Sequence, residues 1–93
     1  MPYIFGLLRE RYDYCLKLLC QLMTPDPAHL NYIISKIIHG YIQREDNGLS
    51  YRRLNHAIGV LECAKMELYR QVVGPFEDTK KSENGNISEL DKE

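Results

Sequence analysis

The side chains best suited to chemistry lie around a turn near the middle of the chain. Arg44 precedes this turn, Arg52 and Arg53 follow it, and Tyr41 and Tyr51 lie beside them. Guanidinium groups bind phosphate through paired N–H groups, and tyrosine rings stack on nucleotide bases. A helix is expected to begin at the same point, where free N–H groups favour an anion. These five residues form the predicted ligand-binding site.

The same turn also carries negative charge, which leaves two interpretations of the arginine cluster open. Glu45 and Asp46 lie within the turn and would partly cancel the field of the arginines. The first interpretation is a site for a phosphate-bearing molecule of the nucleotide type. The second is an ordinary solvated face of a helical protein.

No spacing of residues in the chain indicates catalysis or metal binding. His29, His39 and His56 each lack a histidine or cysteine three or four positions further on, whereas zinc needs convergent ligands. Cys63 has no adjacent base, and we expect it to be a buried structural thiol. No phosphate-binding glycine loop is present. The sequence therefore predicts a protein that is not an enzyme and has no metal or cofactor.

Length and cysteine content limit the class of protein. A chain of 93 residues forms one domain with a marginal core, so we expect a homo-oligomer. Its three cysteines include no C-x-x-C pair, which is typical of reduced intracellular thiols. No apolar run reaches the roughly 18 residues of a membrane span, and the N-terminus lacks the basic region of a signal peptide. We expect a cytoplasmic protein with no membrane association.

Charge is distributed unevenly and divides the chain into two parts. Residues 1–76 hold nine Lys/Arg and seven Asp/Glu, whereas residues 77–93 hold three and six. The first part is the predicted helical domain, and its small basic excess argues against a nucleic-acid polymer as partner. The second part is a polar, acidic C-terminal tail. From residue 79 we expect it to be flexible, or ordered only against another subunit.

The spacing of apolar residues predicts an all-α fold with three helices. A stripe with steps of four and three places the first helix at about residues 5–23. Asp26 is expected to cap the second helix, which begins at Pro27 and runs to about residue 43.

The third helix is expected to begin after its cap, Ser50, and to be stopped by Gly74-Pro75. It follows a short turn at Asn47-Gly48. Because this turn is short, helices two and three are predicted to form an antiparallel hairpin.

A glycine and several polar residues interrupt the apolar face of the third helix. Facing residue numbers in the hairpin should sum to about 94, which pairs Ser35 with Gly59 and His39 with Asn55. A helical glycine costs about 1 kcal/mol relative to alanine, so a close helix contact at Gly59 is expected. Alternatively, this line of residues faces a ligand or a second subunit.

Five stretches of the sequence resemble a family of small phage and bacterial proteins known as a domain of unknown function. They are "MPYI", "LNYIIS", "LNHAIGVLECAKMELYR", "PFED" and "ENGN". The resemblance implies a phage or prophage origin and a tail that is more than random disorder, but no functional residues. In architecture alone, the chain is similar to small helical-hairpin phage proteins that sequester cyclic nucleotide immune signals between subunits.

Two functions follow as expectations. The first is a small phage-type binding protein, not an enzyme, that sequesters a phosphate-bearing small molecule such as a cyclic nucleotide between subunits. The alternative is a structural or interaction protein that binds a host or phage protein through its helical face.

Overall fold

Helices dominate the computed structural model, which describes residues 2–44 and 49–92, and no strand occurs within these ranges. The helices are α1 (Gly6–Leu22), α2 (Pro27–Gln43), α3 (Tyr51–Leu68) and α4 (Gly74–Asn84), with a π-helical turn at Tyr69–Val73 and a 3-10 turn at Glu89–Asp91. Since α3, the π-helical turn and α4 are continuous, the described chain has three long helical segments. The predicted all-α class is confirmed, whereas the antiparallel hairpin and the oligomer stay predictions.

The chain divides into two compact units, Met1–Val60 and Leu61–Glu93. The first unit contains α1, α2 and the first half of α3. The second contains the rest of α3, the π-helical turn, α4 and the C-terminal 3-10 turn. The predicted division into residues 1–76 and 77–93 rests on amino-acid composition, and these two units do not test it.

The two predicted N-caps are present. One carboxylate oxygen of Asp26 accepts a hydrogen bond from the Ala28 N–H at 2.7 Å, and Pro27 is the first residue of α2. The Ser50 hydroxyl accepts from the Arg53 N–H at 3.2 Å at the start of α3. Each cap satisfies one of the N–H groups that a helix leaves unpaired at its start, which fixes where the helix begins.

Gly74 and Pro75 do not stop the third helix, so that prediction was wrong. Proline lacks an N–H group and its ring clashes with the carbonyl four residues earlier, which normally ends a helix. Here the Gly74 N–H reaches back five residues to the Tyr69 carbonyl and widens the turn. Pro75 then lies in the first turn of α4, where its missing N–H is tolerated. A Cβ at Gly74 would lie 3.2 Å from the Tyr69 oxygen, which favours glycine there.

The close helix contact predicted at Gly59 is not made within the described chain. A Cβ placed on Gly59 would meet no atom within 4 Å. On α2, the Ser35 hydroxyl, expected opposite Gly59, donates to the Asn31 side-chain oxygen on its own helix at 3.1 Å. The alternative remains that this line of polar residues faces a ligand or a second subunit.

The acidic tail is folded rather than flexible. Residues up to Asn84 continue α4, and residues 85–92 form a turn, which we call the C-terminal hook. Gly85 has a φ of 92°, a backbone conformation that glycine adopts without steric cost. Its N–H donates to the Lys81 carbonyl at 2.8 Å, and the Lys81 ammonium donates to the Asp91 carbonyl. Glycine at the end of α4 thus redirects the chain onto its own last turn.

Side-chain acceptors close the C-terminal hook. The Asp91 carboxylate accepts from the Ile87 N–H at 3.0 Å and from the Ser88 N–H at 2.9 Å. The Ser88 hydroxyl accepts from the Leu90 N–H at 3.1 Å. This reciprocal arrangement of Ser88 and Asp91 is a capping box, whose signal in the sequence is a serine followed three residues later by an acid.

The C-terminal hook should open in acid. Hydrogen bonds from the backbone N–H groups of Ile87 and Ser88 lower the pKa of Asp91 from its ordinary value of 3.8. Because the folded-state pKa is lowered, this stabilisation is present above the unfolded pKa and is lost as the pH falls through the folded one. The NMR amide signals of Ile87 and Ser88 should titrate with a midpoint below 3.8. They should not titrate in Asp91→Asn, and a midpoint at or above the ordinary value would contradict the capping role.

Few side chains are buried in the chain by itself. Among the described residues, Ala57 is the one buried hydrophobic residue, with 2% of its surface exposed. Several apolar residues of the first unit are half-buried: Leu19, Met23, Ile33, Ile38 and Ile42. A line of four residues along α2 stays exposed, and we call it the α2 stripe: Leu30, Ile34, Ile37 and Tyr41. Steps of four, three and four place these residues on one face of the helix.

Candidate functional site

One side-chain hydrogen bond joins the start of α3 to the end of α2 within the predicted ligand-binding site. The Arg53 guanidinium donates through Nη1 to the Ile42 carbonyl at 3.1 Å, and this contact is partly buried. The carbonyl belongs to the last turn of α2, where no helical N–H partner remains for it. Arg53 therefore holds the two helix ends together.

The other residues of the cluster are open to solvent. The Arg44 N–H donates to the Tyr41 carbonyl at 3.3 Å and ends α2, while its side chain is exposed. Arg52 lies in the first turn of α3 and is also exposed. Tyr41 has 51% of its surface exposed and Tyr51 has 86%. Two guanidinium groups and two phenol rings are thus accessible near one end of the helices.

This arrangement can bind an anion but does not enclose one. Exposed arginines offer N–H groups to a phosphate, and the exposed Tyr51 ring offers a flat face to a base. The Arg53 N–H already donates to the Ser50 hydroxyl, so this helix-terminal donor is not available to a ligand. Glu45 and Asp46, which were expected to weaken the field, lie outside the described residues. A second set of groups would have to cover the ligand from the solvent side.

The cysteine and histidine side chains of the described residues do not come together in a metal site. Cys63 is exposed, so the prediction of a buried structural thiol was wrong. Cys15 and Cys20 are also free and exposed. No group of three or more histidine, cysteine, aspartate or glutamate residues that could hold a metal ion occurs in residues 2–44 and 49–92.

The first residues of the chain line a cavity that the sequence did not predict. Residues 2–4 lie over the start of α1, and the Arg9 side chain donates through Nε to the Ile4 carbonyl at 2.8 Å. The cavity has a volume of about 300 Å³, and Tyr12 and Asp13 contribute to its wall. That volume is at the lower end for small-molecule sites.

A second cavity, of about 440 Å³, lies beside the C-terminal hook. Lys81, Ser82, Asn86 and Lys92 line it. Both ammonium groups already have partners, because Lys81 donates to the Asp91 carbonyl and Lys92 lies 3.5 Å from Glu89. This cavity therefore provides less free positive charge than its composition suggests.

The fold defines a class of protein: a small all-α protein, here with exposed arginine and tyrosine side chains at the end of α2 and the start of α3. No helix within the described ranges combines the length and the apolar composition needed to cross a bilayer. The chain belongs to the family described as a domain of unknown function (DUF6899), whose model matches residues 1–87. This confirms the predicted membership of a family of small proteins of unknown function. No curated protein and no solved structure matches the chain.

Proposed function

We propose that this protein is a non-enzymatic binding protein that works as a homo-oligomer. Its binding surface is formed by helices of more than one copy. The observation that carries the proposal is the exposure of apolar side chains along α2, where Leu30, Ile34, Ile37 and Tyr41 each keep 40–53% of their surface accessible. A stripe of this kind on a helix normally packs against another element.

Thermal unfolding tests the proposal. If folding is coupled to association, the melting temperature should rise with protein concentration by mass action. A monomer should melt at one temperature at every concentration. A concentration-independent melting temperature for the pure protein would contradict the homo-oligomer. If the protein instead stays monomeric by itself and forms a complex with a host or phage protein, that result would favour the alternative, an interaction protein for a foreign partner.

A second candidate function is supported by the open arginine cluster. Arg44 at the end of α2 and both Tyr51 and Arg52 at the start of α3 are exposed. In an oligomer, a second copy could cover the ligand and exclude the water that weakens exposed ion pairs. The ligand class is a phosphate-bearing small molecule with a base, such as a cyclic nucleotide. Calorimetric titration with nucleotides and with inorganic phosphate tests it.

A further inference from the structure

We infer that the C-terminal hook is a preformed docking arm that inserts Ile87 and Leu90 into the α2 stripe of a second copy of this chain. The inference rests on the proposed homo-oligomer and deepens it, since it names the two surfaces that meet. The occupant of the α2 stripe is thus a segment of the same protein.

The C-terminal hook holds two aliphatic side chains in full contact with solvent. Ile87 has 96% of its surface exposed and Leu90 has 98%. Single exposed apolar residues are common on protein surfaces, but these two lie within one short segment, where Leu90 belongs to the 3-10 turn and Ile87 precedes its N-cap, Ser88. We call this pair of exposed aliphatic side chains the knob.

Hydrogen bonds hold the knob in place before any partner binds. The Ile87 N–H donates to the Asp91 carboxylate at 3.0 Å, and the Leu90 N–H donates to the Ser88 hydroxyl at 3.1 Å. The Lys81 ammonium ties the Asp91 carbonyl to α4. An ordered segment loses less conformational entropy on binding than a flexible one, so this geometry favours docking.

The α2 stripe provides an apolar surface for these two side chains. It runs from Leu30 to Tyr41, which is about 16 Å along a helix. Its side chains are spaced by three or four residues, as are Ile87 and Leu90. Apolar anchors at this spacing are the usual contacts of a helix groove.

Charge favours a second copy over an unrelated partner. The unit that carries α2, residues 1–60, holds seven Lys/Arg and five Asp/Glu, whereas residues 61–93 hold five and eight. No acidic residue occurs within α2, and the exposed Arg44 follows its end. The Glu89 side chain of the C-terminal hook is 88% exposed, although the Lys92 ammonium lies 3.5 Å from it. The acidic unit of one chain, which carries the hook, therefore complements the basic unit of another.

Photochemical cross-linking of the full chain tests the docking arm directly. A benzoyl-phenylalanine in place of Leu90 should cross-link to residues of α2. Heavy and light isotopic copies, mixed and refolded together, should yield cross-linked peptides of mixed isotopic composition. Cross-links confined to one copy, or directed away from α2, would overturn the inference.

Substitution of the knob gives an independent measurement. Ile87→Ser with Leu90→Ser keeps the hydrogen bonds of the C-terminal hook but removes its apolar surface, and should raise the self-association Kd about 10- to 100-fold. The matched control, Asp91→Asn, keeps both aliphatic side chains and loses one acceptor, so its effect should be smaller. An unchanged Kd in the double variant would overturn the docking arm while leaving the homo-oligomer intact. A parent protein that is itself monomeric would instead remove the proposed function.

Discussion

Two charges placed in the α2 stripe should dissociate the protein into subunits of 10.9 kDa. The variant is Ile34→Glu with Ile37→Glu, at two exposed positions on one face of α2. In an interface these carboxylates would be buried without partners, which costs several kcal/mol. Glutamate is at least as good a helix former as isoleucine, so α2 itself should persist. Light scattering after gel filtration measures the mass, and circular dichroism measures the remaining helix.

A charge-matched variant separates the interface from a general effect of charge. Tyr32→Glu with Ser35→Glu adds two carboxylates to α2 at exposed positions outside the stripe. This control should keep the mass of the parent protein. If both variants dissociated equally, charge repulsion rather than a defined interface would explain the result. If neither dissociated, the α2 stripe would not be the contact surface.

The second large effect is expected at the arginine cluster. Arg44→Ala with Arg52→Ala should weaken nucleotide binding at least about 100-fold, because each charge-assisted hydrogen bond contributes roughly 1.5–3 kcal/mol. Arg53 is left in place, since its side chain holds the Ile42 carbonyl and its loss would disturb the two helix ends. Exposed arginines contribute little to folding, so the melting temperature should change little. Isothermal titration calorimetry measures the Kd.

Three controls make the arginine result specific. Arg11→Ala with Lys17→Ala removes the same charge from α1 and should leave the Kd almost unchanged. Tyr51→Ala should weaken a nucleotide more than inorganic phosphate, because phosphate has no base to stack. Added salt should weaken binding through screening. No heat from any nucleotide, or equal heat from the parent and the arginine variant, would refute the nucleotide site.

Helix starts were predictable from the sequence because local chemistry sets them. Asp26 before Pro27 and Ser50 before the apolar pattern supply side-chain acceptors to adjacent N–H groups, and no distant contact is needed. The five residues of the predicted cluster follow from those helix ends. The Arg53 side chain joins those two ends, whereas the antiparallel hairpin and its register stay predictions.

The end of the third helix and the fold of the tail were missed for a different reason. A proline normally ends a helix, but a π-helical turn before the proline can let the helix continue. The sequence pattern does not show which of these two outcomes occurs. The tail has few apolar residues, so composition predicted flexibility. Its order comes from polar contacts instead, where Gly85 turns the chain and Ser88 and Asp91 close the C-terminal hook.

The exposure of Gly59 and Cys63 could not be derived from an amphipathic pattern. The pattern shows which residues share a face, but not whether that face meets another helix of the same chain or of another copy. Gly59 has open space around its Cα, and Cys63 is exposed. Both positions are therefore available to a partner subunit.

Sedimentation equilibrium of the parent protein tests the central claim most directly. The measurement gives the mass without assumptions about shape, from low to high micromolar concentration. The proposed homo-oligomer predicts a mass of two or more times 10.9 kDa, which decreases only on strong dilution. A folded protein with a mass of 10.9 kDa at every concentration would contradict it.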